Sequence, residues 1–306
     1  MATDPVVMFI HGAWMTPHCW EPFRGRFEAA GFSTVAPAWP FLPESADQMP
    51  KAGVNPALAQ IGIADLVDHY AKQIDSLDQV PILIGHSFGG LIVQLLLDRG
   101  LGSGGVALDP APVRGVHAGF TAFLVNMPVL RSWLGWRKIH DLSLRSFSLG
   151  FANSLTEKQQ EAAYREHVVP TPGRIFFQAA LGRQNKVDFK NSARAPLLLA
   201  VGSDDRTAQP AMVRKNFRLA RSNTALTEFH EFPDRCHFLI GQPGWEQVAD
   251  YAILWCRRMM TFDAMFDECT IRSLLQTNSP ECRTTSSWPV PVEVVDPRVG
   301  QTFPGR

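Results

Sequence analysis

One stretch limits what this 306-residue chain can fold into: PILIGHSFGGLIVQLLL, Pro81 to Leu97. The continuously apolar run at its start reads as a strand buried on both faces, and the amphipathic run at its end reads as a helix. Between them stand only Gly85-His86-Ser87-Phe88-Gly89, so the chain must leave the strand and enter the helix through one sharp turn. The two glycines remove the Cβ atoms that would clash there. The serine between them is pushed into strained dihedrals, with its hydroxyl standing clear above the sheet.

The rest of the chain repeats the order of strand and helix. Apolar runs rich in Val, Ile and Leu, each bounded by Gly or Pro, recur at Val6–Ile10, Thr34–Ala36, Ile82–Ile84, Val106–Leu108, Leu197–Val201 and Ala225–Phe232. Helical spacing fills Trp20–Ala30, Ala57–Leu77, Leu91–Arg99, Ala211–Arg221 and Gln247–Met260. This alternation predicts an α/β fold, a mainly parallel sheet flanked by helices. It breaks at about residues 113–195, where no convincing strand appears and Phe, Leu, Met and Trp recur at loose helical spacing, so an inserted helical segment is expected. A second break follows Phe262: residues 263–306 carry five prolines and a Ser/Thr patch at Thr284–Ser287, and read as an extended or partly disordered extension of a 1–262 domain.

Composition narrows the partners. Lys+Arg and Asp+Glu are both 29, and neither sign forms a long run, which argues against nucleic acid or a charged surface and for a small neutral ligand. The start, MATDPVVMFI, has neither the basic stretch nor the long apolar region of a secretory signal, and a cytoplasmic location is expected. Residues 118–136 are the most apolar stretch, but Asn126, Pro128 and Arg131 interrupt it, so it reads as a buried or interfacial lid and not as a membrane span. The five cysteines are odd in number and lack metal-ligand spacing; reduced thiols are expected, Cys269 and Cys282 included, and no metal. A homodimer stays open.

A serine hydroxyl is a poor nucleophile until a base takes its proton, and that base must be oriented by a carboxylate. EFHEFPDRCHFLIGQPGW places His237 after a strand and before the last helix, whereas His230 falls inside a strand pattern, His86 in the serine turn itself, and His69, His117, His140 and His167 in helices or the insertion. APLLLAVGSDDRTAQP places Asp204 and Asp205 just after a buried strand, and Asp109 follows the preceding one in VALDPAP. Asp205 ranks first as the acid, then Asp109, whose plainer role is a turn before Pro110, then Asp204.

VMFIHGAW, GHSFGG, DPAPVRGV, GSDD and FPDRCHF, in this order, resemble the α/β-hydrolase fold superfamily, and especially cap-containing serine hydrolases of esterase or lactonase type. The resemblance spans roughly residues 5–260. It implies a Ser87–Asp205–His237 triad, with the acid three residues after Gly202. It also implies an oxyanion hole made by the N–H groups of Phe88 and Ala13, the latter directly after the His11-Gly12 turn. Two departures stand beside it: Arg206 to Pro210 replace the family's usual Asp-His-x-Val-Pro continuation, and Cys236 stands where a glycine usually precedes the histidine. Trp14, as pocket wall or loop brace, joins Trp39, Phe41, Phe123, Met127 and Trp133 as expected lining of an apolar pocket under a helical cap. The implied activity is cofactor-free hydrolysis of a carboxylic ester or lactone of medium size. A lyase, a C–C bond hydrolase or a receptor-like binding protein would use the same residues.

Overall fold

A computed structural model describes residues 4–50 and 53–275, without the side chains of Phe120, Asn126 and the residues from 262 onward. Six strands build one sheet: β1 (Val6–Ile10), β2 (Ser33–Val35), β3 (Ile82–His86), β4 (Gly104–Leu108) and, far along the chain, β7 (Leu197–Gly202) and β8 (Thr227–Phe232). Their order is β2-β1-β3-β4-β7-β8, and every neighbouring pair is parallel. The two central strands β3 and β4, and β7 beside them, are buried along their whole length, as helices on both faces require. The edge strand β8 is only half-buried and carries polar residues at four of its six positions.

Four helices connect and cover these strands: α1 (Glu21–Ala29), α2 (Ile63–Asp75), α3 (Phe88–Asp98) and α8 (Pro210–Ala220). The helix expected from Ala57 splits in two, with a 3-10 turn at Pro56–Gln60 ahead of α2. Gly62 is extended and accepts no continuation; its N–H instead donates to Asp65 Oδ2 at 2.8 Å, which caps α2 from within its first turn. The last helix, α9, runs over Trp245–Leu275, well past the expected end at Met260. The rest of the Pro-rich extension, from 276 on and with it Cys282, lies outside the described residues, as does the side chain of Cys269. Among the described residues, those up to Met259 form one compact unit, and those from Met260 on are separate from it.

The segment between β4 and β7 holds α4 (Phe120–Arg131), α5 (Leu144–Gly150), α6 (Glu157–His167) and α7 (Arg174–Ala180). It also holds two strands that the sequence reading did not expect, β5 (Ile139–His140) and β6 (Thr171–Pro172), paired antiparallel. At two residues each they are too short to impose a period on the sequence. The carboxyl ends of β1, β3, β4, β7 and β8 all point toward this segment, and the loops that leave them carry the residues of interest.

Candidate active site

Ser87 joins β3 to α3 with φ 56° and ψ −118°, a conformation that non-glycine residues adopt rarely. It is held there by the sheet: its N–H donates to Leu108 O of β4 at 3.0 Å, and its carbonyl accepts from Ala111 N–H at 2.9 Å. Close approach of backbones makes the turn possible. A Cβ on Gly89 would run into the carbonyl of Ile10 at the end of β1, and a Cβ on Gly12 would lie 2.9 Å from Ser87 Cβ. The His-Gly turn after β1 and the serine turn after β3 are therefore fitted to one another.

His237, fully buried on the loop after β8, accepts from Ser87 Oγ at Nε2 across 3.1 Å and donates from Nδ1 to Asp205 Oδ2 across 2.7 Å. The other oxygen of Asp205 accepts the N–H groups of Thr207 at 2.6 Å and Ala208 at 2.8 Å. The departure from the family's continuation after the acid thus leaves its carboxylate anchored, because backbone amides do the anchoring and tolerate many side chains. Cys236 in place of glycine is likewise absorbed: its N–H and Sγ both donate to Gln242 Oε1, at 2.9 and 3.2 Å, while Gln242 Nε2 donates to Asp234 O at 2.8 Å. Gln242 ties down the histidine loop, and sequence reading passed over it because a glutamine in a loop carries no motif.

The three aspartates separate clearly. Asp204 is tethered on the exposed side, its carbonyl accepting from Asn153 and its carboxylate from Ser154 and Ser203. Asp109 is fully buried at φ 45°; its Oδ1 accepts the Gly202 N–H at 2.8 Å, while its Oδ2 lies 4.0 Å from His237 Nδ1 with no hydrogen-bond partner. Burial, and then the charge of Asp205, hold the Asp109 carboxyl well above the usual carboxylate range.

The two histidines of the turns are structural in their contacts. His11 donates from Nδ1 to Gly12 O at 2.9 Å, accepts the Trp39 N–H at 3.2 Å and stacks on the Trp39 ring. Burial lowers it to about 4, which keeps it neutral. His86 donates from Nε2 to the carbonyl of His237 at 2.7 Å, fixing that loop from below; burial holds it, too, well below its ordinary value.

Above Ser87 lies a cavity of about 200 Å³ whose wall is mostly apolar and includes Ala13, Phe88 and His237. The N–H of Phe88, the first residue of α3, is one that the helix leaves unsatisfied, and Ala13 N–H enters none of the loop's backbone hydrogen bonds among the described residues. Trp14 is both wall and brace: it lines the cavity, stacks on Phe176 at 4.6 Å and donates from Nε1 to His140 O at 3.2 Å. Phe123 lines the cavity as well.

Four expected lining residues lie elsewhere. Trp39 is buried beneath the loop against His11, and Phe41 stands half-exposed at φ 69°. Met127 meets Arg131 on the outer side of α4, and Trp133 is 83% exposed. All four are apolar by type, and none is among the residues that line the cavity. The insertion supplies instead Phe151, edge-on to the His237 ring at 4.6 Å, and Phe176, with Thr207 and Met212 contributed from around the acid loop and α8.

An all-parallel six-stranded sheet that presents a strained serine after β3, a buried carboxylate after β7 and a buried histidine after β8 defines the α/β-hydrolase class of fold. A model of the alpha/beta hydrolase family matches residues 7–250, and the chain belongs to that family. Among solved structures it is similar to a monoacylglycerol lipase of Paleococcus ferrophilus, at 21% identity and TM-score 0.61 over 84% of this chain and 96% of that one. It is also similar to a thermophilic esterase from Thermogutta terrifontis, at 18% identity and TM-score 0.61 over 85% and 92%. The methylesterase MES16 of Arabidopsis follows at 14% identity and TM-score 0.59 over 84% and 99%. At such identities the likeness is one of fold. No curated protein matches the sequence. No helix among the described residues is long and apolar enough to cross a membrane.

Proposed function

We propose that this protein is a serine hydrolase that cleaves a carboxylic ester or lactone of a medium-sized, uncharged substrate, using protein groups alone. The observation that carries the reading is the continuous line of hydrogen bonds that starts at Ser87 Oγ in the wall of the apolar cavity and runs through His237 to Asp205. His237 takes the Ser87 proton as Oγ attacks the substrate carbonyl. Asp205 holds the ring with Nδ1 protonated and stabilises the imidazolium that forms. The amides of Ala13 and Phe88 receive the oxyanion, and the amino end of α3 adds its positive dipole. His237 then gives its proton to the leaving alkoxide, and water, activated by the same base, releases the acyl group from Ser87.

The insertion acts as a cap in this reading. It closes the cavity with Phe123, Phe151 and Phe176, none of them charged, and so favours acyl groups without charge. The esterase and lipase structures it resembles are consistent with that chemistry.

A fluorophosphonate probe followed by peptide mass spectrometry tests it. Ser87 is the expected site of labelling, and Ser87→Ala is expected to abolish both labelling and turnover of p-nitrophenyl esters, by about 10^5-fold or more, at unchanged thermal stability. A folded protein that takes no label ends the proposal. Labelling without turnover of any ester or lactone transfers the site to lyase or receptor-like chemistry.

A further inference from the structure

The formal charge of zero hides a local asymmetry. Residues 118–140 contain Arg131, Arg137 and Lys138 and no acidic residue. Arg131 meets only Met127 Sδ at 4.0 Å and Lys138 only Ser132 Oγ at 3.4 Å, and among the described residues none of the three is in an ion pair. The same segment is apolar where it should be polar. Helix α4 buries Ala122, Val125 and Val129 against the protein, yet its other side carries Phe123, 50% exposed, and Leu124, with no charged residue before Arg131. The turn that follows adds Trp133, 83% exposed, and Trp136, 41% exposed but steadied edge-on against Phe177. A helix apolar on both sides has a second apolar environment to meet.

We propose that the outward side of α4 and the turn to Lys138 form a docking surface for an anionic lipid bilayer. Tryptophans flanked by Arg and Lys suit the headgroup boundary, where the rings sink in and the cations meet lipid phosphates. A second copy of the chain fits less well: a two-fold interface would bring together two copies of a patch whose only charges are positive. Phe123 and Leu130 of α4 also line the cavity, so the docked helix holds the cavity rim at the membrane, where an uncharged lipid ester is concentrated. That last step rests on the hydrolase reading; the docking does not.

Cosedimentation of the full chain with vesicles is the test, comparing phosphatidylcholine alone with a phosphatidylcholine–phosphatidylglycerol mixture at low and high salt. Binding to the anionic vesicles is expected, weakened by salt. It should fall roughly fivefold for each charge removed in Arg131→Gln, Arg137→Gln and Lys138→Gln. The double variant Trp133→Ser with Trp136→Ser should lose about tenfold or more. All of these lie outside the cavity wall and should keep turnover of a soluble short ester. Ser87→Ala should bind vesicles as the native chain does, which separates failure of the docking from failure of the hydrolase reading. Absence of binding to either vesicle overturns the proposal, as does binding indifferent to these substitutions. A dimer in gel filtration that Trp133→Ser dissociates, without vesicle binding, assigns the surface to a second copy.

Discussion

The loops at the carboxyl ends of β3, β7 and β8 and the insertion between β4 and β7 share one cavity but are held in different ways. The loops are fastened by hydrogen bonds of short reach, such as Asp205 to the amides of Thr207 and Ala208 and Cys236 to Gln242. The insertion has a few backbone bonds to the loops, such as Phe238 N–H to Phe151 O, but most of what it presents to them is rings meeting across long stretches of chain: Trp14 on Phe176, Phe151 on His237, Phe147 on Phe238. Directional bonds hold reacting atoms to a fraction of an ångström, which proton transfer needs, whereas apolar packing is tolerant of exchange and defines a shape. Damage to the loops should therefore appear in kcat, and damage to the insertion in KM and stability.

The largest effect expected on this view comes from the acid. Asp205→Asn removes the charge that orients His237 while leaving the fold intact, and should lower kcat on the order of 10^4-fold. Asp109 stands 4.0 Å from the same ring without a hydrogen bond to it, and its carboxyl is held well above the usual carboxylate range, so Asp109→Asn should cost less than about tenfold. Steady-state kinetics on a p-nitrophenyl ester decides between them. A collapse in Asp109→Asn with activity kept in Asp205→Asn would exchange the two roles.

Acid pH reaches both regions. His11 under the loops and His167 in the insertion are each lowered by burial from 6.5 to about 4. The unfolded chain then binds more protons than the folded one between these values, so stability is full above about pH 6.5 and falls as pH drops toward 4, by roughly 3 kcal/mol for each group. Thermal melts of the native chain should lose Tm steadily over that window. His11→Gln should remove part of the slope and so should His167→Gln; a slope unchanged in both would place the acid sensitivity elsewhere.

How much of this could be read from the amino-acid sequence follows the same division. Strand–helix alternation announced the parallel sheet, because two-sided burial makes its strands continuously apolar. Ser87, Asp205 and His237 stood out because each sits at a strand end with a local signature, and they do meet in one hydrogen-bonded line. Trp39, Phe41, Met127 and Trp133 were misjudged because composition says that a residue is apolar, not which way it faces. Phe151 and Phe176 were passed over because their only distinction is a contact with residues far away in the chain. The charge count was silent about Arg131, Arg137 and Lys138 because a sum over the chain carries no position.

The smallest effects offer the sharpest contrast within the insertion itself. Phe176 and Trp133 are both large aromatics of the same segment, and by residue type alone their removal should cost alike. Phe176 is 6% exposed, stacked on Trp14 and edge-on to Phe88 at 5.2 Å, so Phe176→Ala opens a void and also loosens the loop that carries Ala13. Because one side of the ring already borders the cavity, the loss should be at the low end for such changes, about 3 kcal/mol, with KM raised several-fold. Trp133, at 83% exposure, has little packing to lose, and Trp133→Ala should shift stability by no more than about 0.5 kcal/mol and leave KM for a soluble ester unchanged. Denaturant melts and KM values for the pair check this. Equal costs for both would mean that Trp133 packs against something in solution, and that the insertion is closed on its outer side as well as its inner one.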